Sequence, residues 1–87
     1  MSYRIDLTTA AARQLRKLPR PARERVLQLV ESLADDPRPH GARKLVGEEY
    51  AWRIRSGDYR IVYEIFDNEL TVTVVRAGHR RDVYDNR

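Results

Sequence analysis

Two short stretches of this 87-residue chain are dense in groups that bind anions and move protons. WRIRSGDYR, residues 52–60, brings Arg53, Arg55 and Arg60 close together; GHRRDVY, residues 78–84, adds His79, Arg80, Arg81 and Tyr84. The guanidinium fork matches phosphate oxygens and stays charged. With a pKa above about 12, arginine is a poor proton acceptor, so proton movement falls to other residues. Tyr84 is one candidate, because neighbouring Arg charge favours its phenolate. His79 is the other, since an imidazole near pKa ~6.5 serves as acid or base. Such a set suits an RNA phosphodiester, whose own 2′-hydroxyl is the nucleophile. Cleavage then needs in-line alignment, a base for the 2′-oxygen, an acid for the departing 5′-oxygen, and positive charge around the transition state. That chemistry uses no metal or cofactor. No metal constellation is legible either: the two His residues, His40 and His79, lie 39 positions apart, and the acids lack binding-loop spacing.

Further candidates flank this set. Arg43 and Lys44, just before the first arginine stretch, and Arg81, near its end, are read as RNA-phosphate contacts. His40, between Pro39 and Gly41, reads as an ordinary loop residue. Trp52, Tyr59 and Tyr63 alternate toward the interior and read as core.

The elements that must position these groups follow from periodicity. YRIDL, residues 3–7, alternates and predicts a short strand. Thr8 or Thr9 can cap a helix whose apolar positions are Ala11, Leu15 and Leu18. Pro19 and Pro21 end it, and Pro21 suits the first turn of a second helix with Ala22, Val26, Val30 and Leu33 on its inner face. DDPRPHG stops that helix. ARKLVGEEY, residues 42–50, reads mostly as loop. Three strands follow, at 51–56, 59–66 and 70–77, joined by Gly57-Asp58 and Asp67-Asn68-Glu69 in an antiparallel meander. The order β-α-α-β-β-β predicts one α+β domain over residues 1–87, with two antiparallel helices on one face of a small antiparallel sheet. The other face would carry Arg53, Arg55 and Arg60 on adjacent strands. Guanidinium groups about 5 Å apart repel one another, so that face calls for an anionic ligand or for several acidic neighbours.

Bulk properties agree. A chain this short buries only about 60% of its unfolded surface, which leaves a thin core and favours a large target met at a shallow face. Net charge is +4, and 15 of the 17 basic residues are Arg, as suits a nucleic-acid partner. Residues 1–30 hold seven bases against two acids, and residues 31–49 three against five. The absence of Cys excludes a disulfide framework, a thiolate metal site and a thiol nucleophile. No stretch approaches the roughly 20 apolar residues of a membrane helix, and the first residues lack the apolar run of a secretory signal, so a cytoplasmic protein with no membrane partner is expected.

Taken together, LTTAAARQLRKLP, DDPRPHGARKLVGEEYAWRIRSGDYRIVYEI and VTVVRAGHRRDVY resemble the RelE branch of the RelE/ParE toxin superfamily over roughly residues 3–84. The resemblance implies the toxin of a type II toxin–antitoxin system: an mRNA interferase that enters the ribosomal A site and cuts messenger RNA without metal, leaving a cyclic phosphate and a 5′-hydroxyl. It implies as partners the ribosome, mRNA and a RelB-like, acidic antitoxin from a neighbouring gene. Promoter DNA would be met only through the antitoxin complex. By position, Arg60 matches the Arg of the family's YR step, Arg80 the Arg after the last strand, and Tyr84 the C-terminal Tyr. Arg53 and Arg55 fall where well-known members have two strand lysines. A desolvated lysine can release a proton and an arginine cannot, so any such role shifts here to Tyr84 or His79. The chain ends soon after Tyr84, and no long C-terminal helix is expected. Rival expectations are a ParE-like toxin acting on DNA gyrase, and a catalytically degenerate module that keeps the fold for binding.

Overall fold

The computed structural model describes residues 2–79 and residue 81. Strand β1 (Arg4–Leu7) leads into helix α1 (Thr9–Arg16), then helix α2 (Arg20–Ser32). Strands β2 (Arg43–Lys44), β3 (Ala51–Ser56), β4 (Tyr59–Phe66) and β5 (Thr71–His79) follow, with a 3₁₀ turn, Asp67–Glu69, before β5. They form one five-stranded sheet in the order β1-β5-β4-β3-β2. The β2-β3-β4-β5 pairings are antiparallel, whereas β1 lies parallel to β5, with Arg4 opposite Thr71 and Leu7 opposite Val74.

Local chemistry sets the helix bounds. Thr8 is extended, and its hydroxyl oxygen accepts from the Ala11 N–H at 3.0 Å, capping α1. The same hydroxyl donates to the Val75 carbonyl at 3.1 Å, so the cap also fastens the helix to β5. A second tie comes from Gln14, whose Oε1 accepts the Ala77 N–H at 2.8 Å. Pro19 precedes α2 with an extended ψ of 146°, and Pro21 sits in the first turn, where its missing N–H costs nothing.

Both helices feed one core. Ala11, Leu15, Val26, Val30 and Leu33 pack with Ile54, Ile61, Tyr63, Ile65, Val72 and Val74 from a single sheet face. Tyr63 is fully buried, and its hydroxyl donates to the Pro37 carbonyl at 2.8 Å. Burial pushes that phenol up to about 12, so it stays neutral and anchors the loop after α2.

Three features differ from the periodicity reading. Arg43 and Lys44, read as loop, form the edge strand β2, because β3 supplies a pairing template that two charged residues do not advertise. The opposite sheet face is not wholly polar: Leu45, Ala51 and Val62 are buried there, with Val75 against them. Finally, β5 carries a bulge. The register slips between Val62 and Tyr63, so that Val62 faces Arg76 while Tyr63 faces Val74.

Candidate functional site

The register assembles the arginines. Arg43 faces Arg53, Arg53 faces Val62, and Val62 faces Arg76, forming one row across four strands. In the next row Arg55 faces Arg60, and Arg60 faces Gly78. Partners directly across adjacent strands share a face, and Arg53 and Arg55 share one by the two-residue period. Arg43, Arg53, Arg55, Arg60 and Arg76 therefore lie together on the face away from the helices. Strands about 4.8 Å apart set the spacing between rows' neighbours.

The charge is left open to solvent in part. Arg43, Arg55 and Arg76 are exposed, and among the described residues none of these three has an ion-pair partner. Arg53 and Arg60 are half-buried. Acidic groups on this face gather at its other end. Glu48 and Glu64 line a shallow cavity of about 340 Å³ with Leu45, Val62, Val75 and Arg76. The face is thus polarised, with an anion-seeking end at the β3–β4 hairpin and a partly acidic end near the start of β3.

The expected site residues that fall within the described residues each have a place. Arg53, Arg55 and Arg60 are brought together as the alternation predicts, and Arg43 joins them from β2. Lys44 does not. It faces Trp52 on the helix side of the sheet, and its ammonium donates to the Glu48 and Glu49 carbonyls at 2.6 and 2.8 Å. It thereby ties the β2–β3 loop closed. His79 does not join the arginines either. It faces Tyr59 across the β4–β5 ladder, with the two rings edge-on at 5.8 Å, beside Gln14, Lys17 and Leu18. The pleat that turns Arg60 and Gly78 to one face turns Tyr59 and His79 to the other. His79 Nδ1 accepts the Arg81 N–H at 3.2 Å, and the Arg81 residue is exposed. Arg80 and Tyr84 lie outside the described residues.

Arg76 was missed by sequence reasoning. Strict alternation along TVTVVRAG would put it inward with Val72 and Val74. The bulge adds a residue, so Ala77 turns inward and Arg76 outward. The signal available was the small Ala77 three positions after Val74, out of phase with a regular strand.

This arrangement is that of a small basic α+β protein with an arginine-rich sheet face, and the comparisons give it a family. Residues 5–84 match the family model described as the ParE toxin of the type II toxin–antitoxin system parDE. Toxin RelG of Mycobacterium tuberculosis is 35% identical over 97% of this chain and 98% of its own length. The mRNA interferase toxin RelE of Escherichia coli K12 is 33% identical over 92% of this chain and 85% of its own. In the crystal structure of the toxin–antitoxin complex RelBE2 from M. tuberculosis, a chain 32% identical superposes with a TM-score of 0.82, covering 94% of this chain and 95% of that one. The chain belongs to the RelE family of toxins, within the RelE/ParE superfamily.

Proposed function

We propose that this chain is a ribosome-dependent mRNA endoribonuclease, the toxin of a pair whose antitoxin holds it inactive, acting where ribosomes are, in the cytoplasm. One observation carries the reading: five arginines from four strands share one sheet face, and three of them lack an ion-pair partner among the described residues. A relative named as an mRNA interferase supports it.

In this mechanism Arg53, Arg55 and Arg60 grip the scissile phosphate and offset the charge that grows on its non-bridging oxygens. Arg80, which the family resemblance implicates, adds its charge at the same phosphate. The 2′-oxygen attacks phosphorus, the P–O5′ bond breaks, and a 2′,3′-cyclic phosphate remains. Tyr84, as phenolate, takes the 2′-hydroxyl proton, because arginine stays protonated and cannot accept one and His79 sits on the other sheet face; the departing 5′-oxygen takes its proton from water. The expected transition-state contribution of each lost arginine is about 10²–10³-fold in rate. The RelBE2 neighbour was solved as a toxin–antitoxin complex; here an acidic antitoxin would neutralise the arginine face, and promoter DNA would be reached through that complex.

The test is to induce the chain alone and map messenger 5′ ends. Cuts in translated regions, in register with codons and lost in Arg60→Ala, are the expected result. Arrest with intact messages and DNA breaks would instead assign it to gyrase poisoning.

A further inference from the structure

Beside the arginine face lies a groove that the phosphate chemistry above does not use. Strand β2 covers β3 only at Trp52 and Arg53, while β3 runs on to Ser56. Past Arg53 no strand among the described residues pairs with that edge, and the space is flanked by the loop after α2. The resulting groove has a volume of about 440 Å³, within the ~300–1,000 Å³ range of small-molecule sites. Its floor is apolar, from Leu29, Pro39 and Ile54, and its rim carries His40, Arg43, Arg53 and Arg55.

The rim is built rather than loose. The Ala42 N–H donates to the Pro39 carbonyl at 3.0 Å, closing a turn with His40 and Gly41 at its centre. Gly41 has φ +96°, the left-handed value that the second central position of a type II turn requires. His40 is thereby presented, exposed, at the first central position. Two anchors hold the preceding loop: the Tyr63 hydroxyl on the Pro37 carbonyl, and Arg38 bound through both nitrogens to Asp67 at 3.2 and 2.8 Å.

We propose that this groove is a base-selecting subsite for the nucleotide adjoining the phosphate held by Arg53, Arg55 and Arg60. The inference rests on reading the arginine face as an RNA site, because the groove shares Arg53 and Arg55 with it. An aromatic base fits an apolar floor with an imidazole at its edge, and stacking of this kind is sequence-tolerant. Selection comes from the rim. Its three guanidinium groups are donors only, and among the described residues no carboxylate lines the groove. A base edge rich in acceptors is therefore favoured: the keto oxygen of guanine or uracil is paired, whereas the amino groups of adenine and cytosine face other donors.

The direct test titrates the full-length, ¹⁵N-labelled protein separately with GMP, UMP, AMP and CMP at low salt. Amide shifts at Gly41 and Ala42, with GMP and UMP binding on the order of five-fold tighter than AMP and CMP, are expected. In Arg43→Gln that preference should collapse. Equal affinity for the four, or shifts confined to β4 and β5 around Arg60, would overturn the proposal. The second arm maps message cleavage by His40→Ala and Arg43→Gln, each exposed and separately made. The base flanking the cut should lose its keto bias in both. An unchanged bias together with weaker co-elution with the antitoxin would give the groove to the antitoxin and sink the subsite. If the parent chain does not cut messages at all, the nuclease reading fails, and the titration still decides the groove.

Discussion

Arg76 is the residue whose placement most extends what the arginine stretches alone suggest. It stands two strands from Arg53 in the same row, exposed and without an ion-pair partner among the described residues. A non-cleavable, 2′-deoxy single strand bound across that row releases counterions from each phosphate contacted. Arg76→Ala should weaken such binding several-fold and reduce the slope of log affinity against log salt by about 0.7; an unchanged slope would take Arg76 off the RNA path. A second residue-scale prediction concerns Asp67. The Arg38 guanidinium, and then the Tyr3 hydroxyl donating at 2.6 Å, hold its carboxyl below the ordinary 3.8. A lowered folded value means stability that is present above the unfolded value and lost as pH falls through the folded one. Asp67→Asn should therefore lower the melting temperature at neutral pH and differ less and less from the parent as pH drops below about 4, followed by thermal denaturation across that range.

At the scale of elements, the joint between α1 and β5 concentrates several dependencies. Thr8 caps the helix and bonds the bulge residue Val75. Its replacement by Ala removes both bonds. The expected loss is about 1–2 kcal/mol, measured by urea unfolding, which is at the upper end for a cap because the carbonyl on β5 also loses its donor. The helices and the three long strands were legible because each announces itself locally: a capping Thr, prolines at the breaks, alternation from Trp52 to Ile65. Other features are tertiary and left no local trace. The parallel pairing of β1 with β5 joins segments more than sixty residues apart. Strand β2 is two charged residues made extended by their neighbour. The bulge reversed the phase of β5, which hid Arg76. His79 falls on the other side of the pleat from Arg60, beside Tyr59, because adjacency to arginines in sequence says nothing about which face a residue takes.

Across the whole molecule, the two sheet faces divide the work. The helix side supplies nearly all the burial, and the other side keeps only a small apolar cluster beneath its charges. Leu33, fully buried at the end of α2, belongs to that single core. Leu33→Ala should cost about 2–4 kcal/mol, a large share of the roughly 5–10 kcal/mol available to so small a domain, and the free variant should melt well below the parent by circular dichroism. A partner that binds only the folded form adds stability by mass action. Co-expressed with its antitoxin, the same variant should recover stability, which separates a stability defect from damage to the arginine face.

The parallel pairing of β1 with β5 also bears on when the chain becomes dangerous. A nascent polypeptide with β5 still inside the exit tunnel has no seat for its first strand, lacks Arg76 and Gly78, and leaves α1 without its two tethers. Among the described strands, the one that completes the sheet is also the last to be synthesised, so the arginine rows close only once β5 is out.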